Sequence, residues 1–247
     1  MAVLASFGYA QVSVGREPRV AVLATGSELV AVNQKPGTDQ IRDSNNYSIG
    51  AYAALAGASV ELMPLTGDNP NLLKQQISAA SEGSDVLVTS GGVSMGVYDF
   101  TKTVLKELGA EIFFERVSLR PGKPTVFARL PNGVLVFGLP GNPVSVSVTF
   151  NLFARTSLLA MQGAHEPTLD EEWAIVERSV KGSVDRESYL PCKIRTGEAG
   201  HLLAQPLKWG GSSDFVAFAR ANGLVRVPAG VATLEIGSTV RVVRLPS

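Results

Sequence analysis

The chain alternates between short runs of consecutive apolar residues and longer stretches with helical spacing. Val20-Ala21-Val22-Leu23-Ala24, closed by Thr25-Gly26, is apolar at every position, the pattern of a strand buried on both faces. Val86-Leu87-Val88 repeats it, and Val60–Leu65 reads as a further strand. Between these runs the spacing predicts a helix through Leu55, capped by Ser44 or Asn45 and ended by Gly57. A second helix follows the Gly67-Asp68-Asn69-Pro70 turn to about Ala80, with Leu72, Leu73, Gln76 and Ile77 on related faces. A helix near Thr101–Leu108 and a strand-like Glu111–Arg116 come next. Phe127–Leu130 and Val134–Phe137 then flank Pro131-Asn132-Gly133, a hairpin signal. Gly141-Asn142-Pro143 leads into a long apolar helix from about Ser145 to Met161.

Strands alternating with helices predict an α/β domain, a mostly parallel sheet with helices on both faces. Ligands of such sheets bind beyond the carboxyl ends of the strands. Thr25–Glu28, Gly67-Asp68, Ser90–Asp99 and Gly138–Pro143 all follow strands, so they are expected at one rim. After His165-Glu166-Pro167 the texture changes to short β-leaning runs, among them Trp173–Val180, Tyr189–Arg195 and Gly223–Pro228. These predict a small all-β, barrel-like domain. The division expected is therefore an arm over residues 1–17, an α/β domain over 18–165 and a β domain over 166–247. Within the arm, Met1–Val14 reads as the end of a helix and a short strand.

Composition narrows the function classes. Lys plus Arg and Asp plus Glu both number 22, so the net charge is zero and no global nucleic-acid footprint exists. A local basic pocket is compatible with that balance. Cys192 is the sole cysteine, which excludes an intrachain disulfide and a cysteine-based zinc site and predicts an inert thiol. No apolar run reads as long enough to span a bilayer, and the N-terminus lacks the pattern of a signal peptide. A cytoplasmic protein without membrane or nucleic-acid partners is the expectation.

Four segments carry candidate chemistry. In Ser90-Gly91-Gly92-Val93-Ser94-Met95-Gly96-Val97-Tyr98-Asp99, a glycine turn at a helix start can expose N–H groups to an anion, with Ser90 and Ser94 adding hydroxyls. Taken alone, the stretch is equally a plain strand-to-helix turn. Glu28, Asp68 and Asp99 each follow a strand and a glycine; three carboxylates at one rim suit Mg²⁺ beside a phosphate, while each singly suits a cap or turn. Arg120-Pro121-Gly122-Lys123-Pro124 holds two cations on a proline-stiffened loop fit for a phosphate or tetrahedral oxyanion. Gly138-Leu139-Pro140-Gly141-Asn142-Pro143-Val144-Ser145 opens a helix and offers a second anion site.

In this order TGSELV (Thr25–Val30), SGGVSMGVYD, RPGKP (Arg120–Pro124) and GLPGNPVS (Gly138–Ser145) closely resemble the molybdopterin molybdenumtransferase family. That family includes bacterial molybdenum-insertion enzymes and the E domain of gephyrin. The resemblance is dense from Pro18 to about Gln162, and GGSSDFVAFARANGLVRVP (Gly210–Pro228) resembles the family's C-terminal domain. It implies a MogA-like molybdopterin-binding fold and a reaction that inserts molybdate into adenylylated molybdopterin with release of AMP. Glu28, Asp68 and Asp99 match the acidic positions around Mg²⁺ and the pterin, with Asp68 and Asp99 as metal ligands. Arg120, Lys123 and Ser145 match molybdate-binding positions, Pro140 and Pro143 shape that loop, and Arg116 and Ser212 match further cleft positions. Ser27 stands where the family usually has Asp, and Arg116 where Lys is common. Family members carry N-terminal domains before the equivalent of Pro18, so the resemblance implies that this chain lacks them and that residues 1–17 are a residual arm of a missing domain. Also implied are a homodimer in the full-length form, and partners in the adenylyltransferase that supplies the pterin and the molybdoenzymes that receive it. Two other readings are a molybdopterin adenylyltransferase, which shares the α/β fold, and a non-catalytic pterin-binding scaffold.

Overall fold

The computed structural model describes residues 1–92 and 100–246. The arm forms one short helix, α1 (Ala2–Ser6), with no buried residue, and no strand follows it before residue 19. The α/β domain then runs β1 (Arg19–Ala24), β2 (Leu29–Val30), β3 (Ile41–Arg42), α2 (Asn45–Leu55), β4 (Ser59–Leu62), α3 (Pro70–Gly83), β5 (Val86–Ser90) and α4 (Phe100–Glu107). It continues through β6 (Glu111–Phe114), β7 (Leu119–Arg120), β8 (Val126–Arg129), β9 (Leu135–Leu139), α5 (Pro143–Thr149), a π turn (Phe150–Ala154) and α6 (Arg155–Met161). The second domain holds β10 (Glu171–Val176), β11 (Val180–Lys181), β12 (Glu187–Thr196), β13 (Leu202–Pro206), α7 (Phe215–Phe218), β14 (Gly223–Val227), β15 (Thr233–Leu234) and β16 (Thr239–Arg244).

The first sheet has the order β4-β1-β5-β9-β8-β6. Its β4-β1-β5-β9 part is parallel, the predicted hairpin sets β8 antiparallel to β9, and β6 pairs antiparallel with β8, so the sheet is mixed. Burial on both faces explains why β1 lacks polar alternation. Val20 and Val22 pack with Ile49, Phe150 and Leu158 on the side of α2, α5 and α6. Ala21 and Leu23 pack with Leu73, Ile77 and Leu105 on the side of α3 and α4. After β1 the chain moves outward to β4 and then crosses back to β5 on the other side of β1. The strand order therefore reverses between β1 and β5, which opens a crevice at their carboxyl ends.

One exposed-to-buried junction locks this sheet at its other end. Asp85 accepts the Arg19 backbone N–H at 2.9 Å and the Arg16 guanidinium at 2.9 Å. Burial pushes its carboxyl upward, yet these hydrogen bonds and the two arginine charges outweigh that and hold it below the usual carboxylate range. A lowered carboxyl stabilises the fold above its unfolded pKa, and that stability is lost as pH falls through the lowered value. Asp85→Ala is expected to lower stability by about 1–3 kcal/mol at neutral pH. The difference from the parent should shrink as the pH is taken down through the acid range, measured by denaturant titration at each pH.

Helix Pro143–Met161 overturns one expectation. Its 19 mostly apolar residues give it the length and composition of a membrane span. The apolar density has a different cause here, because the helix is packed on two sides. Val146, Phe150, Ala154 and Leu158 enter the sheet core, and Val144 and Val148 enter a core shared with Tyr189, Phe218, Leu224 and Val243 of the second domain.

The second domain is a closed barrel. Strands pair in the order β13-β10-β16-β14-β12, and β12 pairs back onto β13. Strand β7 of the first domain adds to it in parallel, Leu119 opposite Glu187 and Arg120 opposite Ser188. A segment expected as a free loop is thus a barrel strand, and it brings the RPGKP turn to the junction of the two domains. Cys192 is fully buried in the barrel, and desolvation pushes its thiol up to about 12, in keeping with an inert side chain.

Candidate active site

A cleft of about 1080 Å³ lies where the β1 and β5 turns, the Arg120–Pro124 loop and the barrel meet. Its walls include Thr25 and Glu28 after β1, Ser90 and Gly91 at the end of β5, and Pro140, Pro143 and Ser145 around the start of α5. Arg120 and Lys123 come from the proline loop and Ser212 from the barrel. Nine of the expected residues therefore converge on one space: Glu28, Ser90, Gly91, Arg120, Lys123, Pro140, Pro143, Ser145 and Ser212. Ser94 and Asp99 lie outside the described residues. Asp68, Gly92 and Arg116 do not line the cleft.

The rim turns are tied to one another by backbone bonds. Thr25 N–H donates to Ser90 O at 2.9 Å, and Gly26 N–H donates to Thr66 O at 3.0 Å. Ser27 and Asp68 bond reciprocally: Ser27 N–H donates to the Asp68 carboxylate at 3.3 Å, and Asp68 N–H donates to Ser27 Oγ at 3.2 Å. This places Asp68 on the turn beside Glu28 although it stands back from the cleft. Gly91 N–H donates to Leu139 O at 3.2 Å, so this amide extends the β5–β9 pairing and is not a free anion donor. The Ser90 hydroxyl, by contrast, is buried without a partner among the described residues. Among the described residues of the glycine turn, this hydroxyl has unused hydrogen-bonding capacity.

The start of α5 is shaped by the barrel. Val144 N–H donates to Ser212 O at 3.0 Å, and Asn142 Nδ2 donates to Ser212 Oγ at 2.9 Å. Pro143 occupies the first turn, where a missing N–H costs nothing. Ser145, 4% exposed, is thereby set in the cleft wall one turn into the helix. Opposite, the proline loop is braced by Thr125 Oγ1 donating to Gly122 O at 2.6 Å, and by Val117 and Thr125 N–H groups donating to Lys123 O.

Sequence reasoning missed Arg42 through Asn45, Arg186, and Trp209 through Gly211 with Ser213, all of which line the cleft. The first group follows a two-residue strand, β3, too short to leave a periodic signal. Ser44 stands at the N-cap of α2 as expected, but its side chain makes no capping bond; the Asp43 carboxylate supplies it, accepting Asn46 N–H at 3.1 Å. Burial raises its pKa, and the N–H groups of Asn46 and Asn45 oppose that shift. Asn45 Nδ2 donates to Gly141 O at 2.8 Å and so joins α2 to the α5 loop. Among the described residues the cleft sets four basic side chains, Arg42, Arg120, Lys123 and Arg186, against the carboxylates of Glu28 and Asp43. A neutral chain has concentrated positive charge in one concavity, which suits an anionic ligand.

For Mg²⁺ the fit is one of donor chemistry. Glu28 and Asp68 bring hard oxygen donors to neighbouring turns. Among the described residues no group of three Asp, Glu, His or Cys that could hold a metal comes together.

Residues 21–160 match the probable molybdopterin binding domain, and residues 174–245 match the MoeA C-terminal region, domain IV. The chain is 35% identical to a molybdopterin molybdenumtransferase of Nostoc, covering 100% of this chain and 57% of that protein. It is 34% identical to one of Bacillus subtilis, covering 98% of this chain and 56% of that protein. It thus spans little more than half the length of the curated relatives it matches. A solved molybdopterin biosynthesis MoeA protein of Pyrococcus horikoshii superposes with a TM-score of 0.84 at 32% identity, over 98% of this chain and 58% of that one. A switch-point cleft walled by a barrel, matched domain by domain in the same order, leaves a plain conclusion: the chain belongs to the probable molybdopterin binding domain family and carries the MoeA C-terminal region behind that domain.

Proposed function

We propose that the cleft binds adenylylated molybdopterin and molybdate and inserts the metal at the pterin dithiolene with release of AMP. The observation that carries this reading is the meeting of the Arg120–Lys123 loop and the α5 start with the β1–β5 switch point in one basic cleft. Molybdate is a tetrahedral dianion. Arg120 and Lys123 supply its charge partners, and the Ser145 hydroxyl supplies a further donor from the helix wall. The Ser90 hydroxyl serves the phosphates, and Ser212 links the helix start to the barrel so that the two walls keep their spacing. Asp68 and Asp99 are the residues that would hold Mg²⁺, with Glu28 beside them at the pterin, and the ion would supply neutralisation and polarisation of phosphoryl oxygens. Arg116, exposed between β6 and β7, adds positive charge that steers anions toward the cleft. The same reading places the protein in the cytoplasm as a homodimer, supplied by an adenylyltransferase and serving molybdoenzymes.

The test is AMP release by the purified chain given adenylylated molybdopterin, Mg²⁺ and molybdate. Molybdate-dependent AMP, approaching one per chain in a single turnover, is the expected result. Pterin retention without AMP would favour the scaffold reading instead, and absence of both binding and release would overturn the proposal.

A further inference from the structure

We propose that Gly182, in the barrel domain, is a positioning residue for the Arg120 guanidinium, so that the oxyanion site is completed across the two domains. The inference rests on the reading that Arg120 binds an oxyanion. Arg120 Nη1 donates to Gly182 O at 2.8 Å. The backbone of Arg120 is also held by the barrel, paired in β7 with Ser188 of β12. Main chain and side chain of this one residue are therefore both anchored on the second domain, although its loop belongs to the first.

The Gly182 carbonyl is a fixed acceptor. It follows β11, which pairs with β15, and its own N–H donates to Ala232 O at 2.9 Å. A Cβ at this position would stand 2.2 Å from Val231 O and 2.7 Å from Val227 Cγ1. Only glycine lets the backbone lie this close, and the carbonyl direction follows from that fit. The chemistry of arginine makes the anchor useful. A guanidinium has five N–H donors in a rigid plane; with one engaged on Gly182, the others stay oriented for a planar grip on an anion. A lysine ammonium at the same place offers no such fixed fork. Holding a long side chain before the ligand arrives also lowers the ordering entropy that binding would otherwise cost. The same loop carries Arg186 back to the cleft, its Nε held by Asp185 at 3.2 Å, while Asp185 also accepts Ser183 Oγ at 2.6 Å.

Molybdate titration calorimetry on the parent, Gly182→Ala, Arg120→Lys and the double variant tests this, with a melting temperature for each. Both single variants are expected to weaken molybdate binding about tenfold. The double variant should bind no more weakly than the weaker single variant, because Gly182 acts through Arg120. Parent-like affinity in Gly182→Ala, or fully additive losses, overturns the positioning role while leaving the oxyanion site standing. Should Gly182→Ala fail to fold, Arg120→Lys decides, and parent-like affinity in that variant overturns the role. A parent that binds no molybdate overturns the proposed function itself, and this inference with it.

Discussion

Lys123→Ala is expected to lower molybdate-dependent AMP release about a hundredfold, the cost of removing one preorganised charge-stabilising donor from a partly enclosed site. The backbone of Lys123 is fixed independently of its side chain, since its carbonyl accepts the N–H groups of Val117 and Thr125 and the loop is braced at Gly122. Among the described residues its ammonium forms no salt bridge, so truncation removes no structural ion pair. The melting temperature should therefore stay within about 2 °C of the parent. Single-turnover AMP assays beside thermal unfolding separate the two effects. A large drop in melting temperature would move Lys123 from ligand binding to structure.

Gly91→Ala should have the largest effect on the fold. Gly91 has φ +87°, a left-handed conformation that side chains with a Cβ disfavour. An added Cβ would lie 2.1 Å from Thr25 O, a backbone atom of the neighbouring β1 turn. Thr25 in turn is bonded to Ser90, so the contact cannot open without parting the two turns at the switch point. Strain and overpacking together predict a loss of roughly 2–5 kcal/mol, read by urea denaturation. A variant of parent stability would show that these turns are looser than their hydrogen bonds imply.

That glycine also shows what could be read before the structure. Paired glycines after Val86–Val88 signalled a close approach, and the rim of the sheet was the right place for it. What they approach is the β1 turn, through Thr25, and the start of α4, through Thr101, and the Gly91 amide belongs to the sheet. Buried strands and their following turns were legible because burial on both faces leaves unbroken apolar runs, as in Val20–Ala24. The proline loop and the GLPGNPVS helix start were legible because proline and glycine fix the backbone locally. Three features were not. Arg42–Asn45 reaches the cleft after a two-residue strand, and Asp43 is buried as a cap, a fate common to many aspartates in no cleft at all. Leu119–Arg120 becomes a barrel strand only by pairing with Glu187–Ser188, nearly seventy residues along the chain. Gly182 has no local pattern, since its role is set by Val231 and Val227 closing around it. The last two depend on contacts between segments distant in sequence, which local periodicity does not encode.

The proposed function turns on where the oxyanion sits. Anomalous diffraction at the molybdenum edge from crystals soaked in molybdate locates the metal without reference to any assumed pose. The account predicts a peak in the cleft within hydrogen-bonding distance of Lys123, Arg120 and Ser145. A peak away from these residues, or none at molybdate concentrations that saturate the protein in solution, would contradict it.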